Sequence, residues 1–211
     1  MKKTLLCRNF YFICKRTLDV LCGLIGIVIL FPLIITIKAA YLTQGDTFSI
    51  FYSQKRVGLH GKEFNILKFR SMIPEAEKIL EQMLEKEDYR KEWLINRKFK
   101  NDPRITNIGK ILRKTSLDEL PQLLNVLAGD MSLVGPRPLA IGELEEHNGL
   151  KLYQEVKPGI TGWWACNGRN NIDYPQRLEL EYYYVKNCSF YLDVLCIFKT
   201  IIAVLKKEGV H

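Results

Sequence analysis

At 211 residues, 47% hydrophobic and 26% charged, the chain has the length of one ordinary domain and can bury a core, which excludes disorder and collagen-like repeats. The net charge of +8 is N-terminal: residues 1–70 hold 11 Lys/Arg against 3 Asp/Glu, whereas residues 71–211 hold 20 of each. A basic, apolar N-terminus on a charge-balanced body points to a membrane surface and away from nucleic acid, for which no motif appears.

Val20 to Ile37 is 18 residues without a charge. As a helix it is about 27 Å long, near the lower limit for a span and too long for a signal-peptide core. Lys2, Lys3, Arg8, Lys15 and Arg16 precede it. A simple span would place these cations outside, against the positive-inside tendency. Pro32 removes one helical hydrogen bond and crowds the preceding turn. A re-entrant insertion that breaks at Pro32 and returns both ends to the cytoplasm resolves the conflict; a span and a buried core helix are the alternatives. Six cysteines without a Cys-x-x-Cys pair read as reduced thiols on the cytoplasmic side.

Phe48 to Tyr52 and Lys62 to Phe69 are rich in aromatic and β-branched residues, and the turn signals between them predict two short strands. Pro74 to Lys98 carries a helical apolar stripe with early glutamates and late cations. Asn101-Asp102-Pro103 ends that helix, and a shorter one is expected over Ile108 to Lys114. Because proline fits only the first helical turn, the helix bearing Leu120, Leu123, Leu124 and Leu127 starts near Asp118, and Gly129 stops it. Asp118 then falls at or next to the N-cap, where capping is the ordinary role of an acid. Arg104, Lys110, Arg113 and Lys114 just before it suggest more, since cations at a helix start make an anion site. A carboxylate aimed into such a site is a candidate nucleophile or metal ligand.

Val134-Gly135-Pro136-Arg137-Pro138 holds one guanidinium between two rigid residues. Turn-rich segments follow at Pro158 to Trp164 and Asn167-Gly168-Arg169. Tyr191 to Leu205 has the spacing of a basic amphipathic helix, able to lie on a bilayer or to cap the core.

Residues 100–138, KNDPRITNIGKILRKTSLDELPQLLNVLAGDMSLVGPRP, resemble the bacterial sugar transferases, the monotopic phosphoglycosyl transferases. The likeness extends to the Val20–Ile37 segment, Gln54 to Gly58, Lys68 to Met72, Gly159 to Gly162, Asn167 to Arg169 and Arg177 to Tyr184. Phe31-Pro32 stands where many relatives have Ser-Pro. The resemblance implies an α+β, mainly helical protein: a membrane-inserted re-entrant segment over residues 1–42, and a catalytic domain with interfacial amphipathic helices over residues 43–211 on the cytoplasmic face of the bacterial inner membrane. It implies transfer of a sugar-1-phosphate from a UDP-sugar to polyprenyl phosphate with release of UMP, initiating a surface glycoconjugate.

In that reading Asp118 and Glu119 are the catalytic, Mg²⁺-dependent pair, and Asp118 attacks the β-phosphorus. Glu119 serves either the metal or proton transfer. Lys68, Arg70, Arg104, Arg113 and Arg137 are the expected phosphate-binding cations, and Pro136, Arg137, Pro138, Gly168 and Arg169 the expected nucleotide-sugar contacts. Membrane lipids are further partners, and a homodimer is allowed. The competing class is a non-catalytic membrane scaffold of a polysaccharide assembly complex.

Overall fold

The uncharged segment forms the middle of helix α1, Lys2–Thr43, in a computed structural model that describes residues 2–96, 99, 101–168 and 172–206. Helical structure runs through Pro32, so the helix-break-helix expected there is a single element. The physical reason is that proline deletes only its own N–H, and the ladder survives on either side. Thr36 Oγ1 donates to the Pro32 carbonyl at 2.9 Å.

One face of α1 docks on the rest of the chain through Tyr11, Lys15, Asp19, Gly23, Gly26, Leu30, Ile37 and Tyr41, in steps of three, four or seven residues. Its polar residues face inward. Asp193 of α8 (Phe190–Leu205) accepts hydrogen bonds from Tyr11 at 2.9 Å, Lys15 at 2.7 Å and Tyr184 at 2.6 Å. Arg16 donates to the Val126 and Leu127 carbonyls in the last turn of α5 (Gln122–Ala128), where orphan carbonyls favour a cation. Asp19, 3% exposed, accepts from Ser132 Oγ at 3.0 Å and the Leu133 amide at 2.8 Å. A Cβ on Gly23 or Gly26 would meet Leu127 at 2.7 Å or Leu123 at 2.5 Å, so glycine permits the close helix approach. The opposite face, including Leu21, Ile25, Val28, Phe31 and Ile35, is apolar and exposed.

Strands β1 (Phe51–Val57) and β2 (Glu63–Phe69) pair antiparallel with Phe51 opposite Phe69. The first begins three residues later than expected. Asp46 Oδ1 takes the Phe48 amide and Ser49 Oγ takes the Phe51 amide, local bonds that compete with a ladder.

The single helix expected from Pro74 is two, α2 (Ala76–Leu84) and α3 (Glu87–Asn96); Lys98 lies outside the described residues. The Lys86 amide turns back to Met83, and Arg90 Nε takes the Leu84 carbonyl, closing α2 early. Helix α4 (Asn107–Thr115) is capped by Thr106, whose Oγ1 accepts the Gly109 amide. It lies against the end of β2: a Cβ at Gly109 would sit 1.9 Å from the Ser71 carbonyl oxygen.

Strand β3 (Ser132–Val134) pairs parallel with β4 (Gly159–Thr161), separated in sequence by α6 (Glu143–Glu146). Helices α7 (Tyr174–Asn187) and α8 complete the fold, which is α+β and mainly helical as the sequence implied. Helix α8 buries Leu192 and Cys196 in the core and exposes Phe190, Tyr191, Val194, Phe198 and Ile201. It therefore caps the core and presents an apolar outer face.

Asp19→Ala leaves the Ser132 hydroxyl and Leu133 amide without their acceptor at the α1 interface. A loss of about 1–3 kcal/mol is expected, read as a lowered unfolding midpoint in detergent. Asp19→Asn, which keeps one acceptor oxygen, should lose less; an Ala variant as stable as wild type would show that these bonds do not fasten the helix.

Candidate active site

The chain leaves α4 through Ser116, which has φ +56°, and then makes the 3₁₀ turn Leu117–Glu119. Helix α5 starts only after Pro121, and no side chain caps it. Asp118 is therefore in the tight turn and is not the cap of the leucine-bearing helix, which removes the ordinary structural explanation for an acid at this position.

The turn faces the end of β2. Lys68 Nζ lies 2.8 Å from Glu119 Oε1, and Arg113 Nε donates to Ser71 Oγ at 2.9 Å. Burial pushes the Asp118 carboxyl up to about 6 from 3.8; the neighbouring Glu119 adds to the rise, while Lys68 and Arg113 oppose it. Two adjacent carboxylates therefore differ: Glu119 has a lysine against it, and Asp118 carries an incompletely compensated charge. Asp118, Glu119, Lys68 and Arg113 line a cavity of about 860 Å³ whose lining also includes Arg137, Pro138 and Trp164.

The five predicted cations separate by their partners. Arg70 is 8% exposed and pairs with both Asp46 oxygens at 2.9 Å, with Nε on the Ser49 carbonyl and the guanidinium 4.5 Å from the Tyr41 ring. Arg104, 5% exposed, is held by Asp102 at 2.6 Å. Both line the cavity with their donors turned to internal carboxylates. Among the described residues neither Arg113 nor Arg137 has a carboxylate at ion-pair distance, and Arg137 is exposed between the buried Pro136 and Pro138. Lys110 and Lys114 are exposed on α4. Gly168 is in a turn with φ +136° and does not line the cavity; Arg169 lies outside the described residues.

Sequence reasoning missed Ser71, Trp164 and Glu181 as cavity residues. For Ser71 and Glu181 the only signal was membership of segments matching the family; Trp164 lies in a stretch more aromatic than the family's usual one. Nothing local in Glu179-Leu180-Glu181 marks the third residue as buried, yet Glu181 is 1% exposed.

A model of the family described as "Bacterial sugar transferase" matches residues 10–207. The chain belongs to this family. The undecaprenyl-phosphate galactose phosphotransferase of Salmonella typhimurium is 45% identical over 199 residues, 93% of this chain and 41% of that protein. The exopolysaccharide production protein ExoY of Rhizobium meliloti is 42% identical over 197 residues, covering 92% and 87% of the two chains. The UDP-glucose:undecaprenyl-phosphate glucose-1-phosphate transferase of Escherichia coli K12 is 35% identical over 197 residues, covering 89% and 39%. The chain thus spans about two fifths of the length of several larger relatives and most of the length of ExoY.

Among the described residues no group of three or more His, Cys, Asp or Glu side chains forms a metal cluster. The donor chemistry nonetheless fits Mg²⁺, which is commonly held by one or two carboxylates with substrate phosphates and waters completing the shell. Asp118 and Glu119 are such a pair, and a cation beside them would offset the burial and the neighbouring Glu119 charge that raise Asp118.

The raised Asp118 has a consequence for stability. Its folded form holds a proton at pH values where the unfolded chain has lost it, so ionisation costs stability as pH rises from about 4 through about 6. In magnesium-free buffer Asp118→Asn should unfold at a higher temperature than wild type at pH 8. The advantage should shrink on acidification and vanish below about pH 4; an Asn variant less stable at pH 8 would mean that the carboxylate is compensated in the fold.

Proposed function

We propose that this member of the bacterial sugar transferase family moves a sugar-1-phosphate from a UDP-sugar to polyprenyl phosphate and releases UMP. The observation that carries this reading is Asp118 itself: a carboxylate without a capping role, in a cavity with Lys68, Glu119, Arg113 and Arg137. An Asp118 oxygen attacks the β-phosphorus, a bond forms between them, and the bond from that phosphorus to the UMP oxygen breaks. Polyprenyl phosphate then attacks the aspartyl-phosphosugar with its own oxygen, forming the lipid diphosphosugar and returning Asp118 as carboxylate. Its elevated carboxyl makes it a better nucleophile than an ordinary aspartate, and the protonated fraction falls away above about pH 6.

Arg113 and Arg137 take the diphosphate oxygens, and Lys68 orients Glu119 while lowering the repulsion between donor and nucleophile. Mg²⁺, held by Asp118 and Glu119, would supply charge neutralisation when bound. Arg70 and Arg104 act as props: their ion pairs with Asp46 and Asp102 fix the strand end and the entry to α4 that carry the working residues. The exposed apolar faces of α1 and α8 lie on the cytoplasmic surface of the bacterial inner membrane, giving the polyprenyl substrate direct access.

Incubation with UDP-sugar and Mg²⁺, without lipid acceptor, should release UMP in an amount approaching one per enzyme and leave a phosphosugar on the peptide containing Asp118. Asp118→Asn should remain folded and lose at least about 10³-fold in turnover. An adduct on Glu119 would overturn the assignment, and no UMP release from any UDP-sugar would favour a non-catalytic scaffold.

Arginine geometry gives a separate expectation. Arg113→Lys and Arg137→Lys should each lower kcat/KM about tenfold or more, because lysine keeps the charge and loses the planar fork. Steady-state kinetics at fixed Mg²⁺ check this; values near wild type for either variant would remove that residue from the diphosphate site.

A further inference from the structure

Arg137 is exposed, yet its main chain is held from both sides by buried groups. Its amide donates to Glu181 Oε1 of α7 at 3.0 Å. Its carbonyl accepts from the Tyr153 hydroxyl at 2.9 Å, and that hydroxyl sits 3.4 Å from the same Glu181 oxygen. The flanking residues, Pro136 and Pro138, have fixed φ and no N–H. The Gly159 amide takes the Pro136 carbonyl at 2.8 Å, and the Gly135 amide reaches the Thr161 carbonyl at 2.8 Å. The backbone under the guanidinium thus has almost no freedom, and one carboxylate is at its centre.

That carboxylate is an expensive anchor. Glu181 is 1% exposed, and among the described residues no cation comes within ion-pair distance of it. Its Oε2 is buried without a hydrogen-bond partner, close to Gly162, where a Cβ would lie 3.8 Å away. Burial pushes the carboxyl up to about 7 even though the Arg137 amide, Arg177 and Arg137 itself all favour the charged form. A leucine would fill the same core position without a desolvation cost, so stability alone does not account for a glutamate there.

The surrounding cations point the same way. Arg56 and Arg177 share Glu143, at 3.9 and 3.4 Å, and Arg177 lies 4.8 Å from both the Trp164 and Tyr174 rings. Arg137 lies 5.6 Å from the Trp164 ring and, among the described residues, has no carboxylate of its own at ion-pair distance. Of these three arginines it alone is left to meet an incoming anion.

We infer that Glu181, with Tyr153, is the positioning residue for Arg137: it acts through the Arg137 main chain and fixes the guanidinium that binds the diphosphate of the nucleotide-sugar. This rests on the reading of Arg137 as a diphosphate ligand. It makes α7, outside the aspartate turn and the Pro-Arg-Pro loop, part of the donor-binding apparatus.

The test is a double-mutant cycle on the full-length chain in detergent, with UDP-galactose and UDP-glucose as probes. Affinity is measured by calorimetry and turnover by UMP release. Glu181→Leu should weaken the affinity for UDP-sugar and raise KM about tenfold or more, with a smaller change in kcat. In an Arg137→Ala background the same substitution should change affinity less than about twofold, because the group being positioned is gone. Glu181→Gln, which keeps an acceptor for the Arg137 amide, should recover affinity to within about threefold of wild type. Tyr153→Phe, a milder change, should raise KM about threefold and lose that effect with Arg137→Ala, and it decides the matter if the leucine variant does not fold. Equal losses in both backgrounds, or unchanged affinity in the single variants, would overturn the inference. Wild-type binding without UMP release would indict the proposed reaction and leave the positioning role standing; absence of binding to both probes would overturn the positioning role.

Discussion

Helix α1 is fastened to the rest of the chain on both sides of its apolar segment, and the placement of the site follows from that constraint. Arg16 is bonded to the end of α5, and Tyr41 donates to the Arg70 carbonyl. The separation of 25 positions from Arg16 to Tyr41 corresponds to about 37 Å of helix, more than the roughly 30 Å thickness of a hydrocarbon core. A crossing helix would carry these two attachment points to opposite sides of the membrane, and one folded domain cannot follow both. With both attachment points on one side, the positive charge before the apolar segment raises no topological conflict, and Lys15 and Arg16 serve to bind Asp193 and the α5 carbonyls.

The same docking arranges the chemistry. The inner face of α1 packs on α5 through Gly23 and Gly26, and α5 continues directly from the turn that carries Asp118. Leu30, Ile37 and Tyr41 share a core with Phe69 and Leu112, neighbours in sequence of Lys68 and Arg113. The apolar outer surface and the charged cavity thus belong to one packed unit, an arrangement suited to the proposed transfer from a water-soluble donor to a lipid phosphate. Within the cavity the charges are deliberately unequal. Arg70 and Arg104 are tied to internal carboxylates and Glu119 is paired with Lys68, while among the described residues Arg113 and Arg137 have no carboxylate at ion-pair distance.

Local patterns in the sequence were enough for the helix over 107–115, the strand ending at Phe69 and the glycine stop of α5. These depend on capping, turn chemistry and periodicity within a few residues. The Asp118-Glu119 pair and Arg137 stood out through motifs, and the fold brings all three to one cavity. What stayed hidden depends on partners far along the chain. Whether an arginine is available to phosphate is decided by a carboxylate 24 residues away for Arg70, and the burial of Glu181 by a loop 44 residues before it. The split between α2 and α3 comes with the Lys86 amide turning back to Met83 and Arg90 reaching the Leu84 carbonyl, which periodicity does not register. The expected break at Pro32 overestimated how much structure one missing amide removes.

The claim that α1 and the catalytic domain form one body on one membrane face is tested most directly by two single cysteines in a chain whose six native cysteines are replaced. Phe10→Cys and Thr43→Cys lie near opposite ends of the helix at exposed positions. With a membrane-impermeant maleimide, both should react in inside-out vesicles and neither in intact spheroplasts. Reaction at residue 10 in spheroplasts, with residue 43 protected there, would mean that the helix crosses the bilayer and would contradict the account.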